Sequence, residues 1–247
     1  MESLILFIWR TLFAWFAAVR DLLFPRGCAG CDAPDEVLCP ACRTLFSQPC
    51  IRVLPDSHAD RCYACSLYRG FVRHAILAWK DHSDEECDSV FASFLAGLVL
   101  TVLGATRPRD TAASSLVLVP APSSVSSMHS RGRWQTLPLV KAMQHDLRGY
   151  GLQVEVKPVL HLEGVKGKSV QRTGASGRSE RIAGHVRVDE TFIDDDSLFI
   201  IVDDIVTTGT TMGHCATSLH QAGAVHVIGV ALACVESEAD RGDVRHM

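Results

Sequence analysis

The sequence of 247 residues has no excess of basic charge, since 24 lysines and arginines stand against 28 acidic residues, for a formal net charge of −4. Proteins that bind nucleic acid through its phosphates usually present a basic surface, and this chain as a whole offers none. Direct nucleic-acid binding would therefore need a local basic patch or a partner protein.

Signatures of several enzyme classes are missing as well. The sequence has no glycine-rich dinucleotide fingerprint and no G-x-S-x-G nucleophile elbow at the end of a predicted strand. None of its 11 histidines is spaced as in a metal site or a catalytic pair. The chemistry must be sought in other motifs.

The apolar run near the start of the sequence lacks the continuity of a clear membrane span. Residues 4–24 are mostly apolar, but Arg10, Arg20 and Asp21 interrupt them, and a spanning helix needs roughly 20 nearly uncharged residues. No small-residue cleavage site follows, as a signal peptide would require. The segment predicts a helix packed on the protein itself. Peripheral membrane association is the alternative, because both arginines could snorkel to a membrane surface.

Cysteine is unevenly distributed: eight of the ten cysteines lie between Cys28 and Cys87. Two C-x-x-C pairs stand close together, Cys28-Ala-Gly-Cys31 and Cys39-Pro-Ala-Cys42. Each pair can present two thiolates on one tight turn, and four thiolates complete a tetrahedral zinc site. The pattern predicts one structural zinc in a compact ribbon and a reducing, cytoplasmic location. Surface or redox cysteines are the alternative.

A third C-x-x-C pair, Cys62 and Cys65, has no second pair nearby. It leads into an apolar stretch that resembles the first strand of a sheet. In a strand, residues three apart face opposite sides. We therefore expect two core cysteines on opposite faces of the sheet rather than a second zinc site.

A strand, a loop and a helix are predicted around one stretch, LFIIVDDIVTTGTT. Residues 198–202 are continuously apolar and rich in β-branched side chains, as in a strand buried on both faces of a parallel sheet. Asp203 and Asp204 follow, then a loop over 207–211 and a helix over 212–222. Ligands of open α/β sheets bind beyond the carboxyl ends of the strands, where this loop would lie.

The loop has the chemistry of a phosphate site beside a sugar site. Gly209 lets successive backbone N–H groups converge on an anion, and the following helix adds its positive end. Hydroxyl donors without bulk come from four threonines, Thr207, Thr208, Thr210 and Thr211. Asp203 and Asp204 would repel a phosphate, but they accept hydrogen bonds from vicinal hydroxyls. The ligand predicted is a ribose 5-phosphate. The alternative is a threonine-capped turn beside a solvated acid pair.

The run VDDIVTTGTT closely resembles the phosphoribosyl-pyrophosphate (PRPP) motif of type I phosphoribosyltransferases. Other segments resemble the competence-associated ComF family of such proteins. An apolar helix ends at Pro25 just before the zinc knuckles, and Tyr68 to Lys80 follows the pattern Y-x-G-x-V-R-x-x-I-x-x-x-K. A V-P-x-P segment occurs at 119–122, and Arg131-Gly-Arg-Trp134 resembles the family's R-G-[FW] signature with one extra arginine.

This resemblance implies an α/β fold with three parts. Residues 1–26 would form the apolar helix, 27–60 the zinc-ribbon segment and 61–247 a type I phosphoribosyltransferase-like domain. The last would contain a doubly wound parallel sheet.

The resemblance also implies roles for particular residues. Asp203 and Asp204 would be the catalytic acids on the ribose hydroxyls, the loop over 207–211 would bind the 5-phosphate, and Mg²⁺ would accompany PRPP. Pyrophosphate and lid contacts would come from basic residues after a predicted strand over 116–119 and in a glycine-rich loop over 163–181, namely Arg131, Arg133, Lys166, Lys168 and Arg172. The alternatives are a solvated basic turn for the two arginines and a mobile surface loop for the others. The reaction would transfer a phosphoribosyl group to an unidentified acceptor, in association with DNA uptake and a helicase-like partner.

Two alternatives to the enzyme stay open. One is a PRPP- or nucleotide-sensing accessory protein without transfer activity, which is favoured by a lid that departs from the family pattern at Arg181. The other is an interaction protein whose zinc ribbon docks a partner or single-stranded DNA. An oligomer is compatible with either alternative and with the enzyme.

Overall fold

The protein is described by a computed structural model over residues 26–54, 61–81, 84–106, 115–123, 125–162 and 186–236. The apolar helix predicted within residues 1–26 lies almost wholly outside the described residues.

Six strands form the main sheet, in the order β1-β2-β8-β7-β3-β4, and two more, β5 and β6, form a separate antiparallel pair. The strands are β1 Cys50–Val53, β2 Arg61–Ala64, β3 Ser115–Pro120, β4 Val154–Val156, β5 Leu160–Leu162, β6 Val186–Val188, β7 Ser197–Val206 and β8 His226–Cys234. Within the main sheet, β1 pairs antiparallel with β2 and the other pairings are parallel. The predicted parallel sheet is confirmed, and β1 adds one antiparallel strand at its edge.

The helices cover both faces of this sheet. They are α1 Pro40–Leu45, α2 Gly70–Asp81, α3 Cys87–Thr106, α4 Val125–Arg131, α5 Thr136–Gly149 and α6 Thr210–Gln221. One core cluster joins α2, α3 and α5 to one side of the sheet, and a second joins α6 to the other side. The doubly wound α/β arrangement is therefore confirmed.

Strand β7 lies inside the sheet, between β3 and β8. Phe199, Ile200, Ile201 and Val202 have no exposed surface. Their side chains alternate between the two core clusters, which explains why the run is apolar without a polar alternation.

Cys62 and Cys65 are both buried, at 1% exposure each. Cys62 belongs to the cluster on the α6 side, and Cys65 belongs to the cluster on the side of α2 and α3. The predicted placement of the two thiols on opposite faces is confirmed.

The four-cysteine segment shares a core with the helices of the sheet. Cys28, Cys39 and Phe46 belong to the same buried cluster as α2 and α3, and the Phe46 ring lies 5.4 Å from the ring of Phe91 on α3. Strand β1 also joins the main sheet through β2. The predicted domain boundaries at residues 26 and 60 stay predictions.

One described helix, α3, is long and apolar enough over Cys87–Gly104 to meet a length-and-composition test for a membrane span. Its Phe91, Leu95 and Val99 side chains are fully buried in the protein core. A core helix meets the same test.

The start of α3 is tied to the end of α2 by a group that we call the Asp88 clamp, consisting of Trp79, Asp88, Arg133 and Gln135. The Asp88 carboxylate accepts a hydrogen bond from Trp79 Nε1 at 2.5 Å and two from the Arg133 guanidinium at 2.7 and 3.0 Å. Gln135 Nε2 donates to the Trp79 carbonyl at 2.8 Å. The guanidinium also lies over the Trp79 ring, 5.9 Å from its centre.

The residues after Arg133 are fixed to the end of β3. Trp134 Nε1 and Thr136 Oγ1 donate to the Ala121 carbonyl at 3.0 and 3.1 Å. The clamp thus sets the last turn of α2, the loop before α5 and the end of β3 in one arrangement. That arrangement fixes the backbone next to Lys80, the residue that follows Trp79.

We expect Asp88→Asn to lower the free energy of unfolding by about 1–3 kcal/mol, because the Arg133 guanidinium loses its bidentate carboxylate partner. Urea unfolding measures the change. The matched control is Glu85→Gln, since Glu85 lies 3.9 Å from Arg133 but is 67% exposed; this substitution should change stability by less than about 0.5 kcal/mol. Equal effects of the two substitutions would contradict the clamp.

Candidate functional site

The acid pair lies where β7 runs past its neighbour β3. The β3–β7 pairing ends at Pro120 and Val202, whereas the β7–β8 pairing continues to Val206 and Cys234. From Asp203 onward, one edge of β7 is therefore no longer paired with β3. This is the carboxyl end of parallel strands, where α/β folds bind ligands.

The two carboxylates face opposite sides of the sheet, because successive side chains of a strand alternate. Asp204 forms an ion pair with Lys80, near the end of α2. Asp203 instead lies on the α6 side, where its charge raises the pKa of the Cys62 and Cys215 thiols, although burial is the larger cause for both. The sequence alone gives the two acids one shared role; the structure separates their surroundings.

Asp203 is a carboxyl group that ionises with difficulty. Burial and the neighbouring charge of Asp204 raise its pKa to about 7, although Lys80 and the Asp204 backbone N–H act in the opposite direction. The Asp203 carboxylate accepts that N–H at 2.8 Å. Such a perturbed acid in a cavity wall is typical of functional sites.

The threonine loop forms a small cavity with Asp203 at the first turn of α6. Gly209 precedes the helix with a φ of 83°, a left-handed conformation that glycine adopts without strain. The cavity has a volume of about 40 Å³ and is lined by Asp203, Ile205, Val206, Thr207, Thr208, Gly209, Thr210, Thr211 and Met212. This volume suits a few waters or one small anion. The predicted phosphate-binding residues are thus brought together.

Two hydroxyls of the loop are already ordered by each other. Thr208 Oγ1 lies 2.9 Å from Thr210 Oγ1, and it accepts the Thr210 N–H at 3.4 Å. The first N–H groups of a helix have no partner within the helix, so an anion here would meet both backbone and hydroxyl donors.

The predicted pyrophosphate and lid residues differ in their surroundings, and the structure describes only some of them. Arg131 ends α4 and lies 3.7 Å from Asp81. The Arg133 guanidinium is bound in the Asp88 clamp. Three further predicted residues, Lys166, Lys168 and Arg172, lie outside the described residues.

Lys80 was not predicted as a site residue, although it is the last residue of the Y-x-G-x-V-R-x-x-I-x-x-x-K pattern. Its ammonium group reaches Asp204 from another element of the fold. That pattern is the sequence signal that could have identified Lys80, but it does not indicate that Asp204 is its partner.

The second candidate site is the four-cysteine cluster, formed by Cys28, Cys31, Cys39 and Cys42. All four sulfur atoms lie within 4.8 Å of one another, and the Cys31 and Cys39 sulfurs are 3.5 Å apart. Tetrahedral zinc with Zn–S bonds of about 2.3 Å places its sulfurs about 3.8 Å apart. The cluster could therefore bind one zinc ion.

The surrounding backbone favours the thiolate of Cys28, whereas burial and the neighbouring cysteines raise the pKa of the Cys42 thiol. Burial raises the pKa of the Cys28 thiol, but backbone N–H groups, including those of Cys39 and Gly30, outweigh burial and leave it at about 6. A side chain on Gly30 would place its first carbon 2.7 Å from the Cys42 sulfur. Glycine is required there because the knuckles approach so closely.

No protein-family model and no curated protein matches the chain. Solved structures of phosphoribosyltransferases show a distant likeness. An HPRT glutamic acid mutant, from an analysis of an invariant aspartic acid in HPRTs, is 19% identical with a TM-score of 0.36, over 61% of this chain and 68% of that chain. Hypoxanthine phosphoribosyltransferase from Trypanosoma cruzi, a mutant in a ternary substrates complex, is 19% identical with a TM-score of 0.35, over 61% and 68%.

The allosteric regulatory enzyme of purine biosynthesis is 15% identical with a TM-score of 0.36, over 60% of this chain and 26% of that chain. These TM-scores and identities are too low to assign the chain to a family. The fold class rests on the order and pairing of the strands, and the ComF resemblance stays a prediction.

We expect the double substitution Cys28→Ser and Cys39→Ser to abolish zinc binding and to lower the free energy of unfolding by more than about 2 kcal/mol, because a zinc ion in this cluster would hold two turns in one core. Elemental analysis and urea unfolding give the two results. Cys50→Ser is the control, since Cys50 lies outside the cluster. Unchanged metal content in the double variant would refute the site.

We expect Asp203→Asn to stabilise the protein by on the order of 1 kcal/mol or more at pH 8, and to have little effect near pH 4. The folded-state pKa is raised, so the stability of the wild type is fully present below the unfolded-state pKa and is lost as pH rises towards about 7. Urea unfolding at both pH values tests this. Asp196→Asn, at an exposed position before β7, should show no such difference. A gain independent of pH would contradict the raised pKa.

Proposed function

We propose that the protein is a phosphoribosyltransferase that binds PRPP with Mg²⁺ and transfers the phosphoribosyl group to an acceptor that is still unidentified. One observation carries the proposal: β7 delivers Asp203 to the wall of a small cavity made by the threonine loop and the start of α6. This arrangement combines donors for a phosphate with an acceptor for sugar hydroxyls.

The loop over 207–211 would hold the 5-phosphate through backbone N–H and threonine hydroxyl groups. Asp203 and Asp204, at the end of β7, would accept hydrogen bonds from the ribose hydroxyls. Carboxylate oxygens suit Mg²⁺, so the same acids fit the ion, which would neutralise charge on the pyrophosphate. The pairing of Asp204 with Lys80 makes Asp203 the acid with the freer carboxylate.

In the transfer, the bond from C1 of the ribose to the pyrophosphate oxygen breaks, and the acceptor's nucleophilic atom forms a new bond to C1. The electron pair of the broken bond leaves with pyrophosphate. No side chain of this chain needs to form a covalent intermediate. Its residues would act by holding the ribose in position and by stabilising the positive charge that develops on the ring.

The four-cysteine cluster would hold a structural zinc, since its four sulfurs leave no position for a substrate. From the ComF resemblance, we further propose a role associated with competence and a helicase-like partner in the cytoplasm. A PRPP sensor that performs no transfer is the alternative for the same pocket.

Calorimetric titration with PRPP and Mg²⁺ tests the pocket. We expect magnesium-dependent binding that weakens at least about a hundredfold in the double variant Asp203→Asn and Asp204→Asn, because both carboxyl groups proposed for the ribose hydroxyls and the ion are lost. Circular dichroism checks that this variant is folded. The matched control is Asp195→Asn with Asp196→Asn, two exposed acids just before β7, which should bind PRPP as the wild type does.

Equal binding by the acid-pair variant and the wild type would overturn the proposed site. If PRPP binds as expected, release of pyrophosphate in the presence of mixed nucleobases separates the enzyme from the sensor. Release that depends on an acceptor identifies a transferase, and binding without release identifies the sensor.

A further inference from the structure

Lys80 is a nearly buried cation directed at the acid pair from outside the PRPP-like motif. Its side chain is 16% exposed and that of its partner Asp204 is 11% exposed. Removing two charges from water costs more than many such pairs return, so a pair like this is weak evidence for stability. Its placement beside a candidate ligand site suggests a functional reason for keeping it.

The Asp88 clamp fixes the backbone immediately before Lys80. The Trp79 ring nitrogen donates to Asp88, and the Trp79 carbonyl accepts from Gln135. The backbone of α2 at Lys80 is therefore fixed. Only the side chain of Lys80 keeps its rotational freedom. Because the backbone beside Lys80 is already fixed, Lys80 loses less conformational freedom when it binds a charged ligand.

We propose that Lys80 is a further ligand-binding residue, the cation that meets the pyrophosphate of PRPP; this inference rests on the proposed function. In PRPP, the pyrophosphate on C1 lies across the ribose from the 5-phosphate. With the 5-phosphate in the threonine loop and the ribose at the acids, the pyrophosphate lies beyond the acids. Because Lys80 is paired with Asp204, its ammonium group would lie beside the pyrophosphate in this arrangement.

Arg133, which the family resemblance makes a candidate for the pyrophosphate, has its guanidinium held by Asp88 through both terminal nitrogens. To reach a ligand it would have to give up this bidentate pair. Lys80 has only to exchange one carboxylate oxygen for a phosphate oxygen. In the proposed site, Asp204 holds the ammonium near the cleft until the ligand arrives.

The test compares two ligands that differ only in the pyrophosphate, PRPP and ribose 5-phosphate, each titrated with Mg²⁺ by calorimetry. The measured quantity is the ratio of the two dissociation constants. We expect Lys80→Met to lower the preference for PRPP by about tenfold to a hundredfold, while affinity for ribose 5-phosphate changes little. Lys80→Arg, which keeps the charge, should recover most of the preference.

The control is Lys141→Met, which removes an exposed lysine from α5 and should leave both affinities unchanged. If Lys80→Met does not fold, because Asp204 is left without a partner, the double variant Lys80→Met and Asp204→Asn removes both charges together. Its preference for PRPP over ribose 5-phosphate should be about tenfold to a hundredfold lower than that of Asp204→Asn alone, the reference that separates the loss of Lys80 from the loss of Asp204.

The outcomes separate this inference from the proposed function. If wild-type protein binds both ligands and Lys80→Met weakens them equally or not at all, Lys80 does not contact the pyrophosphate and the inference fails alone. A folded double variant that keeps the preference has the same meaning. Wild-type protein that binds neither ligand overturns the proposed function, and the inference with it.

Discussion

Two adjacent carboxylates at the end of a buried strand are the constraint on which the site depends. Neighbouring like charges in a partly dry environment repel each other, and the fold reduces that repulsion in two ways. Alternation along β7 sends the acids to opposite faces, and Lys80 neutralises Asp204. Asp203 is left with a raised pKa beside the threonine loop. Two residues that look equivalent in the sequence thereby acquire different chemistry.

The placement of Lys80 depends in turn on packing elsewhere. The Asp88 clamp joins the end of α2 to α3 and to the segment before α5. These elements lie on the side of the sheet opposite α6, so the candidate site draws on both faces of the fold. The threonine loop comes from one connection after β7, whereas the cation comes from a helix much earlier in the chain. A sheet whose carboxyl end collects several connections makes such a combination possible.

The local parts of this arrangement could be predicted from the sequence, and the long-range pairings could not. The run 198–202 predicts a buried strand because it is apolar without alternation, and the duplicated C-x-x-C spacing predicts the cluster that the structure brings together. The opposite placement of Cys62 and Cys65 follows from strand geometry alone. By contrast, a salt bridge such as Lys80 with Asp204 depends on how α2 packs on the sheet. The pairing of Arg133 with Asp88 also depends on tertiary packing, so the basic cluster in the sequence does not predict it.

The aromatic contacts beside the four-cysteine cluster connect it with the residue before Lys80. Phe46 lies against Phe91, and Phe91 lies 5.5 Å from Trp79, the residue before Lys80. The four-cysteine segment thus belongs to the same core as Trp79, the residue that precedes Lys80. Loss of the metal would be transmitted as a change of packing rather than as a change of charge. Metal content and ligand affinity would then be thermodynamically linked, even though the two sites share no residue.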